Sequence, residues 1–268
     1  MSQNKPIYIG TNTKMYQTPG QAAAFLAELT ALTRDIPSED LTLFVIPSFT
    51  SLERSCEAVK GSTVLLGAQN MHWEEEGQFT GEISPLMLKE LGVSVIEIGH
   101  SERRHIFHET DEDMEKKVRA AVAHGFTALL CVGETLKQRQ WGVEDEVLRM
   151  QLKIGLHALS PRQFPRVWIA YEPVWAIGEN GIPATAEYVA KRHRVIRETL
   201  AGQFGEKEAD EIPVLYGGSV NPDNTPGLIN TPDVDGLFVG RSAWEAGRFN
   251  QLIRSALSCL KAHRQSDI

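Results

Sequence analysis

The stretch FTALLCVGETLKQRQWGVEDEVLRMQLKIGLHALSPRQFPRVWIAY, Phe126 to Tyr171, decides the fold. It opens on Phe126–Val132, a run almost continuous in apolar character, too short for a helix and patterned as a strand buried on both faces. Beyond Gly133-Glu134 the pattern changes to helical spacing over Val143–His157, and a second apolar run follows at Arg166–Tyr171. A buried strand, a helix and another buried strand form one unit of a parallel sheet with a right-handed crossover.

The same unit recurs in both directions. Upstream runs lie at Pro6–Thr11, Leu41–Ile46, Ser62–Ala68 and Val93–Ile98, and downstream runs at Ile212–Tyr216 and Val234–Val239. Helical spacing fills the intervals at Gln21–Arg34, Ser51–Val59, Pro85–Leu91, Asp111–His124, Ala184–Leu200, Pro222–Ile229 and Ala243–His263. Eight strand–helix units in 268 residues take about 33 residues each, and no Pro/Gly/Ser linker divides them. The chain is therefore expected to be one domain over residues 1–268, an α/β fold closed into a (β/α)₈ barrel, with a doubly wound open sheet as the alternative. Neither G-x-G-x-x-G after the first run nor a P-loop is present.

Composition narrows the function. With 42% hydrophobic and 23% charged residues the chain has the apolar content for one large core, which excludes a disordered protein. No apolar run approaches the ~20 residues of a membrane span, and the start MSQNKPIYIG lacks the long apolar stretch of a secretory signal. A cytoplasmic protein without membrane partners is expected. Cys56, Cys131 and Cys259 form no C-x-x-C pair, which suits reduced thiols. The charge of −8 and the lack of a basic stripe argue against nucleic acid, so an anionic ligand must be held by local N–H groups and a few placed cations.

In a barrel the residues just after each strand face the active site. Here they are Asn12-Thr13-Lys14, Gly99-His100-Ser101-Glu102, Gly133-Glu134, Glu172-Pro173-Val174-Trp175, Gly217-Gly218-Ser219 and Gly240-Arg241-Ser242. Each has an ordinary structural reading; their meeting at one barrel end is what points to a site. Glu172 ends an apolar strand, where a carboxylate works or is paired. A metal reading of His100, His105, His108 and Glu109 fails on spacing and on Arg103 and Arg104, which repel a cation. Gly218-Ser219-Val220 does not match a nucleophile elbow.

One carboxylate, one imidazole, one ammonium and glycine-rich turns remain. A carboxylate base removes a proton from carbon beside a carbonyl, and the oxygen then needs electrophilic help as charge develops. His100, placed at a helix N-terminus, is biased toward a neutral hydrogen-bond donor. Lys14 and Asn12 complement the developing oxyanion, while N–H groups of Gly217–Ser219 and Gly240–Arg241 hold a phosphate. A Schiff-base lyase using Lys14 is the enzymatic rival, and a phosphosugar-binding regulator that lost catalysis the non-enzymatic one.

Asn12-x-Lys14, Gly67-Ala68-Gln69-Asn70, Phe79-Thr80-Gly81-Glu82, Gly99 through Arg104, Cys131-x-Gly133-Glu134, Tyr171 through Gly178 and Tyr216 through Val220 resemble triosephosphate isomerase, in order and from end to end. The resemblance implies Glu172 as base, His100 as electrophile, and Asn12 and Lys14 as substrate-binding residues. That family is the standard example of this division of labour. The resemblance also implies Gly178 at the phosphate and a closing lid over Pro173–Pro183, including Val174, Trp175, Ala176 and Ile177, with neither metal nor organic cofactor.

The chain departs from the family pattern at Thr13, where tryptophan is usual, at Glu179-Asn180-Gly181-Ile182-Pro183-Ala184, and at Gly240-Arg241-Ser242-Ala243-Trp244. These segments and Met71-His72-Trp73 are similar to the branch that isomerises tetrulose phosphates in erythritol breakdown. They imply conversion of L-erythrulose 1-phosphate to D-erythrulose 4-phosphate, with glycolytic triosephosphate isomerisation as the alternative. Thr13 is expected to free room beside Lys14, and Arg241 to add a cation at the site's rim. The segment Gln69–Glu82 is long for a barrel loop and carries Trp73 and Phe79. The resemblance implies that it docks on a second copy, near Asn12 and Lys14, in a homodimer.

Overall fold

Eight parallel strands pair in chain order and close into a barrel: β1 (Ile7–Asn12), β2 (Leu41–Ile46), β3 (Leu65–Ala68), β4 (Val95–Ile98), β5 (Thr127–Val132), β6 (Val167–Tyr171), β7 (Val214–Tyr216) and β8 (Gly236–Val239), with β8 returning to β1. The computed structural model describes residues 5–178 and 181–266. The closed order settles the choice between barrel and open sheet.

Continuous apolar runs suit these strands because both faces are buried. In β5, Ala128, Leu130 and Val132 pack outward against the helices, while Leu129 and Cys131 point inside. Aromatic rings fill the interior: Trp168 lies 5.1 Å from Tyr8 and 5.4 Å from Phe44, and Phe44 stacks on Phe238 at 5.7 Å. Gly10 makes room for this layer, since a Cβ there would fall 2.2 Å from the Phe44 ring. The barrel centre is thus a packed core, and a ligand site is confined to its ends.

The outer ring comprises α1 (Pro19–Thr33), α2 (Leu52–Val59), α3 (Pro85–Glu90), α4 (Ser101–His105), α5 (Asp111–Ala123), α6 (Leu136–Gln140), α7 (Glu144–Gly155), α8 (Ala186–Phe204), α9 (Glu206–Glu211), α10 (Thr225–Ile229) and α11 (Ala246–Ser266). Thr18, Thr110 and Thr135 start α1, α5 and α6 with reciprocal capping boxes. The sequence pattern missed α4, α6 and α9, which have five or six residues and no proline at their start, whereas the equally short α3 and α10 were marked by Pro85 and by the prolines at 222 and 226. It also began β3 at Ser62, whereas Gly61 takes φ +79° and the Ser62 hydroxyl donates to the Val59 carbonyl at 2.7 Å, turning the chain before the strand starts. Among the described residues no helix is long and apolar enough to cross a membrane.

Candidate active site

At the end of β1 the Asn12 side chain organises its surroundings. Its Oδ1 accepts the Lys14 backbone N–H at 2.6 Å and the Gln69 amide at 3.0 Å, and its Nδ2 donates to Glu97 at 2.7 Å. The first of these bonds holds Lys14 at φ +51°, a left-handed conformation costly for a residue with a Cβ and of the kind found where function demands it. From there the Lys14 ammonium reaches Glu102 at 2.7 Å. Thr13 is buried and falls on the same strand parity as Ile7 and Ile9, which pack in the outer cluster. The room it frees therefore lies behind the strand, and the expectation that it enlarges the space beside Lys14 is corrected.

His100 caps α4. Its Nδ1 accepts the Glu102 backbone N–H at 3.2 Å, and a ring nitrogen in that role holds no proton of its own, so a ring proton sits on Nε2. Nε2 lies 3.6 Å from Glu172 Oε1. Behind it Arg104 donates to the carbonyls of Gly99 at 2.7 Å and Cys131 at 3.1 Å and pairs with Asp111 at 2.5 Å, tying the His100 turn to β5. Glu109 is engaged by Arg103 at 2.5 Å and Lys117 at 2.7 Å.

Glu172 follows β6 and is 4% exposed. Two glycines shape its seat. A Cβ on Gly133 would fall 1.9 Å from the Glu172 carbonyl oxygen, and one on Gly217 would fall 2.9 Å from Glu172 Cγ. The Gly217 N–H donates to the Tyr171 carbonyl at 2.8 Å, extending the β6–β7 pairing. This corrects its expected role: its donor is spent in the sheet, and its missing side chain gives space to Glu172.

The segment after Glu172 is pinned from below. Glu134, fully buried, accepts from Trp175 Nε1 at 2.7 Å, Tyr188 Oη at 2.9 Å and Tyr171 Oη at 3.1 Å. The Arg139 guanidinium covers the rings of Trp175 at 4.0 Å and Tyr188 at 4.7 Å. Val174–Ala176 forms a single 3₁₀ turn, Gly178 takes φ +84°, and the Ile182 N–H returns to the Trp175 carbonyl at 3.1 Å. Pro173, Val174, Trp175, Ala176 and Ile177 thus lie beside the base; Glu179 and Asn180, part of the expected lid, lie outside the described residues.

The remaining expected residues occupy the neighbouring strand ends. Gly218 packs above Tyr216, Ser219 gives its carbonyl to Asn224 at 2.8 Å, and Gly240 and Arg241 start the 3₁₀ turn after β8. The structure therefore brings Asn12, Lys14, His100 and Glu172 together at one end of the barrel with both glycine turns beside them. Sequence reasoning missed three further residues. Trp244 donates to the Asn12 carbonyl at 2.9 Å, Gln69 also bonds the Lys14 carbonyl at 2.8 Å, and Glu97 faces inward under Asn12. Gln69 and Trp244 lay inside quoted motifs without being given a role, and Glu97 carried its own signal as the one acid inside the apolar run Val93–Ile98.

The triosephosphate isomerase family model matches residues 7–256. The L-erythrulose-1-phosphate isomerase of Rhizobium etli is 50% identical over 242 residues, covering 89% of this chain and 88% of the relative. That of Rhizobium meliloti is 47% identical over 250 residues, covering 92% and 96%. The triosephosphate isomerase of Solibacter usitatus is 43% identical over 249 residues, covering 93% and 98%.

Proposed function

This chain belongs to the triosephosphate isomerase family, and from that premise we propose that it interconverts L-erythrulose 1-phosphate and D-erythrulose 4-phosphate. The observation that carries the chemistry is the buried pairing of Glu172 with His100 Nε2 at 3.6 Å, beside the Lys14 ammonium. The higher identity to relatives named for the tetrulose phosphate supports the choice of substrate.

In this reading the Glu172 carboxylate takes the proton from C3 of the bound ketose. The electron pair moves to the C2 carbonyl oxygen, which receives a hydrogen bond from His100 Nε2 and the field of Lys14. The enediolate that results has its negative charge next to neutral and cationic donors. Glu172 then returns the proton to C2, the C3 hydroxyl proton passes to the C2 oxygen by way of His100 Nε2, and the carbonyl forms at C3. Numbered from the other end the product is the 4-phosphate. N–H groups of Gly178, Gly218, Ser219, Gly240 and Arg241 hold the phosphate, and closure of the segment after Pro173 keeps water from the enediolate.

A positioned base is worth roughly 10²–10⁴ in rate, so Glu172→Gln lowers kcat by at least that factor while the protein stays folded. In D₂O the wild type places deuterium at the reacting carbon and the variant does not. Near-normal turnover by Glu172→Gln overturns the assignment.

The same reading places the enzyme in the cytoplasm, in erythritol catabolism, as a homodimer. The exposure of Met15 (95%), Tyr16, Phe79, Leu86, Met87, Ile106 and Phe107, on the segments after β1, β3 and α4, supports a partner there. The root of the Gln69–Glu82 loop folds onto its own barrel through buried Asn70 and Met71, so Phe79 and its flanks are what it offers. A monomer in sedimentation at micromolar concentration refutes the dimer. Triosephosphate isomerisation in glycolysis is the second reading, favoured by the family itself.

A further inference from the structure

Glu97 is a fully buried carboxyl that the proton transfer described above does not use. It lies on the β4 parity of Val95, which points into the barrel. Its Oε2 accepts the Asn12 amide at 2.7 Å, and its Oε1 has no hydrogen-bond partner. Glu172 Oε2 is buried with no nitrogen or oxygen donor, and the Cys131 thiol is what meets that carboxylate. A carboxylate oxygen of Glu97, one of Glu172 and the Cys131 sulfur all lie within 4.8 Å of one another.

The surroundings supply one negative charge's worth of support. Facing the cluster are Asn12 and Lys14 from the end of β1, Glu102 and Arg104 from α4, His100 from the end of β4, and Cys131 from β5. Lys14 is already bound to Glu102, and Arg104 to Asp111 and two carbonyls. The His100 donor faces Glu172, and what Glu97 receives is a single neutral amide. Two carboxylates at this separation, shielded from water, do not both ionise; such a pair holds one proton between them.

We propose that Glu97 is a positioning residue for the isomerisation, a carboxylic acid that keeps its proton through the cycle so that the pair's negative charge stays on Glu172, while its second oxygen fixes the Asn12 amide. The proposal rests on Glu172 being the base. The proton inventory balances: carbon gives its proton to Glu172, both carboxyls are then neutral, and the same proton returns to the adjacent carbon while Glu97 keeps its own. Burial, reinforced by the Glu172 charge, pushes the Glu97 carboxyl well above the usual carboxylate range, against the pull of the Asn12 bond. The Cys131 thiol is pushed up by the same burial and stays protonated.

Infrared difference spectroscopy reads the proposal without turnover. Wild-type protein at neutral pH shows the C=O stretch of a buried carboxylic acid; Glu97→Gln removes it and Glu172→Gln retains it. In Glu172→Gln that acid also loses its proton at lower pH than in the wild type, since the neighbouring charge is gone. Kinetics add a second reading. Glu97→Leu leaves the Asn12 amide unpaired and lowers kcat/KM by about tenfold or more. Glu97→Gln, neutral and still an acceptor, recovers most of that loss and changes the alkaline side of the pH profile. Absence of the acid band from the wild type, its survival in Glu97→Gln, or a titration unmoved by Glu172→Gln overturns the proposal. Full activity of Glu172→Gln with the Glu97 band intact refutes the base instead.

Discussion

Gly133→Ala tests how closely the fold controls the base. The Gly133 N–H donates to Gln151 Oε1 at 2.8 Å, and its carbonyl accepts from Gln151 Nε2 at 3.3 Å, so β5 is clamped on its outer side. The new Cβ falls 1.9 Å from the Glu172 carbonyl oxygen and 2.6 Å from its carbonyl carbon. Restoring ordinary contact near 3.5 Å requires a shift of about 1.5 Å, and the clamp leaves the Glu172–Pro173 backbone to make it. A misplacement of about 1 Å costs on the order of 10² in rate, so kcat falls by ~10² or more, equivalent to about 2.7 kcal/mol of barrier. The strain costs about 1–3 kcal/mol of stability, which leaves a domain of this size folded. Steady-state isomerase kinetics beside a thermal melt by circular dichroism make the assay. Gly155→Ala is the control: its Cβ meets a Leu130 methyl at 2.9 Å, a side-chain end that can swing aside, so that variant loses stability but keeps kcat within about threefold. A Gly133→Ala enzyme with kcat within about threefold of wild type refutes the reasoning.

Two further outcomes follow from the same geometry. His100→Gln reduces kcat by on the order of 10²–10³ and raises KM much less, because its hydrogen bond strengthens as charge develops; a pure KM effect makes His100 a binding residue. Burial lowers the His193 imidazole to about 3, against its hydrogen bond to the Asp233 carbonyl. The unfolded ring takes a proton near pH 6.5 and the folded one does not, so this group's stability is present above that pH and is lost as pH falls toward 3, by up to about 1.4 kcal/mol per unit. Urea unfolding from pH 7 to pH 4 should show a flatter acid decline in His193→Gln, and an unchanged slope contradicts the assignment.

The barrel was legible because its strands are buried on both faces, so that runs such as Leu41–Ile46 needed no alternation to be recognised. Asn12, Lys14, His100 and Glu172 were legible as a set, because the strand–helix repeat carries all four strand ends to one end of the barrel, although each alone has an ordinary structural reading. What the sequence hid depends on direction and pairing. Nothing in the residue Thr13 tells that it packs behind β1, and the Gly217 N–H looks like a phosphate donor until the β6–β7 pairing claims it. Glu97 was visible as an acid in an apolar run, yet its proximity to Glu172 exists only once β4 and β6 close into the same barrel. Glu134 was quoted as a strand end, but its grip on Trp175, Tyr171 and Tyr188 joins residues up to 54 positions apart.

The central claim is the choice of substrate, and kcat/KM measured for L-erythrulose 1-phosphate and dihydroxyacetone phosphate on one enzyme preparation tests it most directly. An added carbon with its hydroxyl shifts discrimination by ~1–3 kcal/mol, roughly 10–200-fold. The account predicts that the tetrulose phosphate is favoured by a factor in that range. Equal or better turnover of dihydroxyacetone phosphate contradicts it and makes this chain a triosephosphate isomerase in the strict sense.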